Sequence, residues 1–319
     1  SKLTWRQVCA MRNGVSMQYA RILGLFLIGL LGLNNVSAES PQWWYAGVEN
    51  LHPKSAWLKT LGSDDTVCLL GHKWLADGSI RLQMPARLVT MQKKIKFRAV
   101  PLLTPGNENA TRRFLRSPQF QKKFLMSLLQ QLRSSEVWSG IHLDMEHIPS
   151  SLQKEWIDWL YSVKAALRTL PNKTLFTAAV FPALRFKPGA MLMHPPAKLA
   201  AIFDEVVVMG YDWHGPEGTP GPVSDIYWLK ENLDYLLSFY SAKTLWLGLP
   251  LYGYGWTGKH TVVLSRKHGM SSARLKKYKF TYTWLPDDNF LEKAQMLVSE
   301  RGLAGAAFWR AGFESNTGM

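Results

Sequence analysis

The sequence predicts an α/β fold, a (β/α)8 TIM barrel that forms a single domain. Short β-rich runs alternate with helix-like stretches, which is the pattern of a parallel sheet wrapped by helices. There are eight such runs, and eight strands favour a closed barrel over an open sheet. The length of 319 residues suits one barrel of about 250 residues with a further segment before it.

The predicted strands are Trp43–Val48, Thr66–Leu70, Ile95–Leu103, Gly140–Glu146, Thr174–Phe181, Glu205–Tyr211, Thr244–Leu251 and Gly305–Trp309. The predicted helices are Gln119–Arg133, Leu152–Leu170, Ile226–Tyr240 and Asn289–Arg301. Pro118 suits a first helical turn, and Gly302 suits the end of a helix, where a left-handed backbone is common.

The region between the last two predicted strands is longer than a simple crossover. It carries a run of basic residues from Arg266 to Lys279, and we expect it to form an excursion from the barrel. The sequence stops ten residues after Trp309. Either the barrel closes without a full eighth helix, or the sequence is truncated.

The amino-terminal segment has the pattern of an export signal. Arg21 precedes an apolar run, Ile22–Leu33, which is long enough for a signal peptide and short for a bilayer span. Small residues at Val36 and Ala38 suit cleavage after Ala38. We therefore expect a leader at 1–38, a barrel domain at 39–319, and a secreted, periplasmic or cell-envelope protein without a stable membrane anchor. An uncleaved anchor or a buried helix is the alternative.

The charge of the chain narrows the class of partner. The formal net charge is +15, and the leader holds four basic residues and no acid, so the remaining chain carries +11. A basic surface either serves only to keep the protein soluble or binds an anionic polymer. Nucleic acid fits an exported protein poorly, so we expect no nucleic-acid partner. The oligomeric state is left open.

Cofactor and metal signatures are missing from the sequence. The eight histidines include no HExxH pair, and His142 with His147 fits ligand spacing poorly. No GxGxxG or Walker loop follows a strand. We therefore expect no cofactor and no metal.

The strongest chemical signal lies in the fourth predicted strand. Side chains alternate along a strand, so His142, Asp144 and Glu146 share one face and point into the barrel, opposite Leu143 and its apolar neighbours. Barrel interiors are normally apolar, and buried polar groups are costly unless they are hydrogen-bonded and used. Asp144 and Glu146 stand about 6.5 Å apart along the backbone, so one carboxyl pKa should rise toward that of a general acid.

Three motifs in this order resemble glycoside hydrolase family 18, the chitinase-type barrels. That family ends its fourth strand in DxxDxDxE, and here Asp144 and Glu146 match the last two acids while Ser139 and His142 depart from the first two. Met209-Gly-Tyr-Asp212 is similar to the family's MxYD, and Trp309 stands where the family places the tryptophan under the cleaved sugar. From Met209 onward the chain resembles the bacterial spore-germination and cortex-lytic branch.

The resemblance implies roles for four catalytic residues. Glu146 would protonate the glycosidic oxygen, and the substrate's own acetamido oxygen would attack the anomeric carbon. Asp144 would orient the acetamido N–H, and Tyr211 would hydrogen-bond the acetamido oxygen. Asp212 would grip the sugar or a nearby hydroxyl. The implied protein is a retaining hydrolase of an N-acetylglucosamine polymer, either peptidoglycan or chitin.

Five further residues are candidates for substrate binding: Trp309, Met209, His142, Trp213 and Tyr252. His142 either relays charge to Asp144 or merely fills its position. The rival class is a carbohydrate-binding barrel that lost catalysis. Such proteins commonly lack the terminal acid, and Glu146 is present.

Overall fold

The computed structural model describes residues 40–269, 275 and 277–315. The predicted signal segment Ile22–Leu33 and its cleavage position lie outside the described residues, as do Arg274 and Lys276 of the basic run. Within the described part, no helix is both long and apolar enough to cross a bilayer.

The described strands are β1 (Gln42–Ala46), β2 (Thr66–Leu69), β3 (Lys73–Trp74), β4 (Ile80–Arg81), β5 (Arg98–Leu103), β6 (Gly140–Leu143), β7 (Leu175–Val180), β8 (Glu205–Met209), β9 (Leu245–Pro250), β10 (Tyr252–Trp256), β11 (Thr261–Ser265), β12 (Tyr282–Trp284) and β13 (Gly305–Trp309). The described α-helices are α1 (Ala86–Ile95), α2 (Glu108–Leu115), α3 (Pro118–Arg133), α4 (Gln153–Leu167), α5 (Ala190–Met193), α6 (Pro196–Leu199), α7 (Ile226–Leu236) and α8 (Asp288–Glu300).

Eight strands close into a parallel barrel in the order β1-β13-β9-β8-β7-β6-β5-β2. Each coincides with one of the eight predicted strands, so the prediction of a (β/α)8 TIM barrel is confirmed. The barrel register places His142 beside Leu102 of β5 and beside Thr177 of β7. Since catalytic residues of TIM barrels lie at the carboxyl ends of the strands, the loops after β6, β7, β8, β9 and β13 surround the expected site.

Some predicted boundaries were wrong. The third strand begins at Arg98, not at Ile95, because α1 ends at Ile95 and Lys96 takes a left-handed φ of 69° that stops the helix. The fourth strand ends at Leu143, although the amide of Asp144 still donates to the carbonyl of Leu103 at 3.0 Å. Asp144 and Glu146 therefore lie just beyond the sheet, on the rim of the barrel.

The expected excursion lies between β9 and β13. There β10 pairs with β11 and β12 in a three-stranded antiparallel sheet. A smaller β3–β4 hairpin and helices α1, α2, α5 and α6 were not predicted. The described residues after β13, 310–315, contain no helix.

Two layers of core fix the direction of the side chains on β6. Ile141, Leu143 and Met145 are buried in the layer between the barrel and its helices. The barrel interior is filled by a separate cluster that includes Trp43 and Tyr45. The predicted alternation is confirmed, because His142 contacts these interior rings while its apolar neighbours face the helices.

An ion pair lies at the amino-terminal end of the barrel, opposite the end that carries Asp144 and Glu146. The Nη1 atom of Arg98, which begins β5, lies 2.5 Å from Oε1 of Glu205, which begins β8. The indole N–H of Trp246 donates to the same carboxylate at 2.7 Å. These groups occupy the amino-terminal ends of the strands, where polar residues in such barrels stabilise the fold.

Candidate active site

Four of the predicted site residues meet above the carboxyl ends of the barrel strands. Asp144 and Glu146 follow β6, Tyr211 follows β8, and Trp309 ends β13, which is diametrically opposite β6 in the barrel order. The rings of Tyr211 and Trp309 lie 6.4 Å apart and are inclined by 33°. Trp309 also packs on Tyr45, at a centroid distance of 5.0 Å. The residues thus form a cleft with an aromatic wall facing two carboxyl groups.

Asp144 is the deeper of the two carboxyl groups. Its Oδ1 atom is buried and accepts no hydrogen bond from any residue in the described part of the chain. Burial and then the charge of Glu146 raise the pKa of Asp144 to about 7, and Lys187 opposes the rise. The predicted rise of one carboxyl pKa is therefore found on Asp144. Asp144 therefore has one oxygen without a hydrogen-bond partner among the described residues, and this oxygen can engage a ligand.

Glu146 is the more accessible carboxyl group. About a third of its side chain is exposed, and its Oε2 atom lies 3.7 Å from Nζ of Lys187. The coupling of Asp144 to Glu146 is electrostatic, since no hydrogen bond joins their side chains among the described residues. A carboxyl group at the rim, exposed and close to a buried partner, can transfer a proton to a bound substrate.

Tyr211 is placed to donate a hydrogen bond. It is buried, and burial followed by the charges of Asp144 and Glu146 raises its pKa well above the usual value of 10. The phenol therefore stays protonated at neutral pH. A protonated hydroxyl beside two carboxyl groups suits an acceptor oxygen on a ligand.

Asp212 is held by two tyrosines of the excursion. Its φ of 58° lies in the left-handed region, which turns the chain sharply after Tyr211. Its Oδ1 atom accepts hydrogen bonds from the hydroxyls of Tyr252, at 2.6 Å, and Tyr254, at 3.0 Å. Tyr252 was a candidate from the sequence, whereas Tyr254 was not. The β10 strand thus fixes one oxygen of a carboxylate in the cleft.

His142 lies beneath the site in a hydrogen-bonded chain. It has no exposed surface, and its ring nitrogens contact the hydroxyls of Tyr45 and Thr177, each at 2.9 Å. Burial lowers its pKa to about 3, so the imidazole is neutral. In this structure His142 supports Tyr45, which packs under Trp309, and it does not open onto the cleft.

The last two candidates, Met209 and Trp213, lie in different parts of the core. Met209 is buried with Tyr211 and Tyr252 in a cluster at the end of β8. Trp213 stacks on Trp228 at 5.5 Å with an angle of 7°, and the guanidinium of Arg185 lies 5.3 Å from its ring centre. Trp213 is therefore partly buried against the layer between the barrel and its helices, and among the described residues no ring contact joins it to Tyr211 or Trp309.

The sequence reasoning missed Tyr45, Lys187 and Tyr254. Tyr45 reads as an ordinary residue of an interior strand, and Lys187 lies in an irregular loop without a motif. The signal for Tyr254 was its place two residues after Tyr252, on the same face of a strand. No group of three or more histidine, cysteine or acidic side chains in the described residues could hold a metal ion.

Comparison with known families agrees with this geometry. Residues 88–314 match the model of glycosyl hydrolases family 18, a span that includes every candidate site residue named from the sequence. The chain belongs to glycoside hydrolase family 18. Membership makes it a glycoside hydrolase.

Relatives within family 18 include spore enzymes of bacilli. The uncharacterized glycosylase YvbX of Bacillus subtilis (strain 168) is 22% identical over 271 residues, which cover 76% of this chain and 78% of that protein. The cortical fragment-lytic enzyme of Bacillus anthracis is 25% identical over 260 residues, which cover 71% of this chain. This chain spans only 59% of that relative's length.

Solved structures share the family 18 fold. The spore cortex-lytic enzyme SleL of Bacillus megaterium QM B1551 has a TM-score of 0.71 at 20% identity, covering 87% of this chain and 72% of that one. The chitinase of Chromobacterium violaceum ATCC 12472 has a TM-score of 0.69 at 19% identity, covering 86% and 95%. Both likenesses concern the barrel.

Proposed function

We propose that this family 18 protein hydrolyses β-1,4 bonds on the reducing side of N-acetylglucosamine units in a polymer. The observation that carries the proposal is the pairing of Asp144 and Glu146 on the rim of β6. They face Tyr211 and Trp309 across the cleft. The relatives named as cortical fragment-lytic enzymes and chitinases support a substrate of this class.

The chemistry would use the substrate's own acetamido group as the nucleophile. Glu146 donates a proton to the glycosidic oxygen as the bond to the anomeric carbon breaks. The acetamido oxygen bonds to that carbon and forms an oxazolinium ion. Glu146 then takes a proton from water as it attacks the same carbon, so that configuration is retained. An intramolecular nucleophile needs little entropy to align, so the enzyme need not supply one.

Three neighbours would hold the acetamido group and the sugar during this sequence. The free Oδ1 atom of Asp144 accepts the acetamido N–H and stabilises the positive charge that develops on it. The protonated hydroxyl of Tyr211 donates to the acetamido oxygen. Asp212, fixed by Tyr252 and Tyr254, binds a sugar hydroxyl through its second oxygen.

Within this substrate class we propose peptidoglycan, acted on in the cell envelope or outside the cell. The net charge of the chain without its predicted leader is +11, and chitin is uncharged, so a basic surface gains nothing from it. Wall polymers carry carboxylates or phosphates. The spore cortex enzymes among the relatives support the same choice.

The test is hydrolysis of purified peptidoglycan and colloidal chitin side by side, with mass spectrometry of the new reducing ends. We expect faster release from peptidoglycan, N-acetylglucosamine at the new reducing end, and a preference that weakens with salt. The preference should weaken because salt screens charges: at an ionic strength of ~0.15 M, the attraction between two exposed charges already falls off within about 8 Å. Faster degradation of chitin at low salt would contradict the wall substrate and leave the hydrolase intact.

A further inference from the structure

Lys187 places an ammonium group directly beside the proposed acid. It lies between β7 and α5, and its Nζ atom is 3.7 Å from Oε2 of Glu146. Nearly half of its side chain is exposed, so solvent and a ligand at Glu146 can reach it. The motifs of the family 18 resemblance do not include this residue.

Two aromatic rings hold the ammonium in this position. Its Nζ atom lies 5.0 Å from the ring centre of Phe181 and 5.3 Å from that of Phe186, distances at which a cation is attracted to a ring face. The other cation of this loop, Arg185, is engaged elsewhere, since it pairs with Glu231 and covers Trp213. Lys187 therefore presents a positioned charge next to the acid rather than a freely solvated one.

The position next to Glu146 determines which part of a substrate Lys187 meets. An acid must come within about 3 Å of the oxygen it protonates. In a β-1,4-linked polymer that oxygen belongs to carbon 4 of the leaving sugar, and carbon 3 stands next to it. A group that contacts the acid therefore lies within reach of the substituent on oxygen 3. In chitin this substituent is a hydroxyl, and in a muramyl unit it is a lactyl ether that ends in a carboxyl group.

We propose that Lys187 binds the lactyl carboxylate of a muramyl unit in the leaving-group subsite. The inference rests on the proposed hydrolase function and names the substrate feature that this cleft selects. A lysine ammonium is a compact charge with three donors, which suits a carboxylate. The negative charge exists only where no peptide is attached, because a peptide stem turns the carboxyl group into a neutral amide. An amidase-type hydrolysis that removes the stem must therefore supply the preferred substrate.

The experiment compares three oligosaccharides of equal length. In the first the leaving sugar carries a free lactyl carboxylate. In the second the lactyl carboxyl group forms an amide with alanine, whose own carboxyl group is blocked so that the substituent is neutral. In the third the leaving sugar carries the free hydroxyl found in chitin. The specificity constant kcat/KM is measured for wild type, Lys187→Met and Lys187→Arg. Lys123→Met is the matched control, because Lys123 is also about half exposed and pairs with Asp77 at 3.0 Å, far along the chain on α3.

The decisive quantity is the ratio of kcat/KM for the carboxylate to that for the amide. Any effect of the substitution on Glu146 itself alters both substrates equally and cancels in the ratio. We expect wild type and Lys123→Met to favour the carboxylate by about tenfold, the usual scale of one charged hydrogen bond. Lys187→Met should bring the ratio to about one, and Lys187→Arg should restore most of it. A wild-type ratio of one, or a ratio unchanged in Lys187→Met, would overturn the inference.

Binding separates this inference from the function on which it rests. If wild type cleaves none of the three compounds, the proposed hydrolysis is wrong, and calorimetric titration of the wild-type protein with the same compounds decides the inference. Tighter binding of the carboxylate that is lost in Lys187→Met would still support it. Equal binding of carboxylate and amide would refute it.

Discussion

The hydroxyl of Tyr45 donates a hydrogen bond of 2.9 Å to Nε2 of His142, in the interior of the barrel. The direction follows from the neighbouring bonds. The hydroxyl of Thr177 gives its proton to the carbonyl of Ile141, so its oxygen accepts from Nδ1 of His142. His142 must therefore carry its proton on Nδ1 and offer Nε2 to Tyr45, which in turn packs against Trp309.

The first prediction concerns the protonation of His142. Since burial lowers its pKa to about 3, it should remain a neutral imidazole with the proton on Nδ1 down to pH 5. Nitrogen-15 chemical shifts of labelled histidine measure both the charge and the tautomer, with His142→Gln identifying the signal. An imidazolium at pH 5, or a proton on Nε2, would contradict the hydrogen-bonded chain described here.

The second prediction concerns the cost of burying Asp144. Its pKa is about 7 in the folded protein and near 3.8 when unfolded, so the folded state holds the proton more tightly. Wild type should therefore lose stability as pH rises from about 4 through about 7, and Asp144→Asn should not. We expect the free energy of unfolding of the variant, relative to wild type, to rise by on the order of 4 kcal/mol between pH 4 and pH 8, because each unit of pKa difference corresponds to about 1.4 kcal/mol. Urea unfolding across this range measures it, and a difference independent of pH would argue against the raised pKa.

The third prediction concerns Tyr254 and Asp212. Removing the hydroxyl of Tyr254 leaves the fixed oxygen of Asp212 with one hydrogen bond instead of two. If Asp212 binds the sugar, Tyr254→Phe should lower kcat/KM roughly tenfold, because hydrogen bonds to charged groups contribute about 1.5–3 kcal/mol. Tyr240→Phe serves as the control, because Tyr240 is also a buried tyrosine and lies outside the cleft, between α7 and β9. Equal kinetics for the two variants would remove Asp212 from the sugar site.

The fourth prediction concerns the nucleophile. If the acetamido group attacks the anomeric carbon, an oligosaccharide with one free glucosamine should not be cleaved at that unit. A stable thiazoline analogue of the oxazolinium ion should inhibit, since such compounds bind ~10²-fold or more above substrate. Product analysis and inhibition kinetics measure both effects. Cleavage beside glucosamine at an undiminished rate would indicate a nucleophile supplied by the enzyme.

The barrel could be predicted from the sequence because its strands are buried on both faces. In the sequence, parallel strands of this kind appear as short apolar runs bounded by residues that disfavour strands, as in Glu205–Met209 and Gly305–Trp309. Asp144 and Glu146 stood out because they alternate with apolar residues in the fourth predicted strand, so their side chains share one face of it. Helix α1 was missed because no capping side chain marks its start after Pro85, and the left-handed Lys96 that ends it has no sequence signal.

The contacts that tune the site could not be predicted in the same way. Tyr45 and His142 are 97 positions apart, and Lys187 lies in a loop whose course depends on the packing of Phe181 and Phe186. Such pairs depend on the barrel closing, which brings β1 and β7 around the interior face of β6. Only the three-dimensional structure shows that the residue replacing the family's acid at His142 is neutral and fully enclosed.

The most direct test of the account is the turnover of a soluble N-acetylglucosamine oligosaccharide by wild type and by Glu146→Gln. Glutamine keeps the shape and hydrogen bonding of Glu146 but has no proton to transfer. We expect turnover to fall ~10²-fold or more while calorimetric binding of the oligosaccharide persists. Turnover by purified Glu146→Gln at the wild-type rate would contradict the assignment of Glu146 as the catalytic acid.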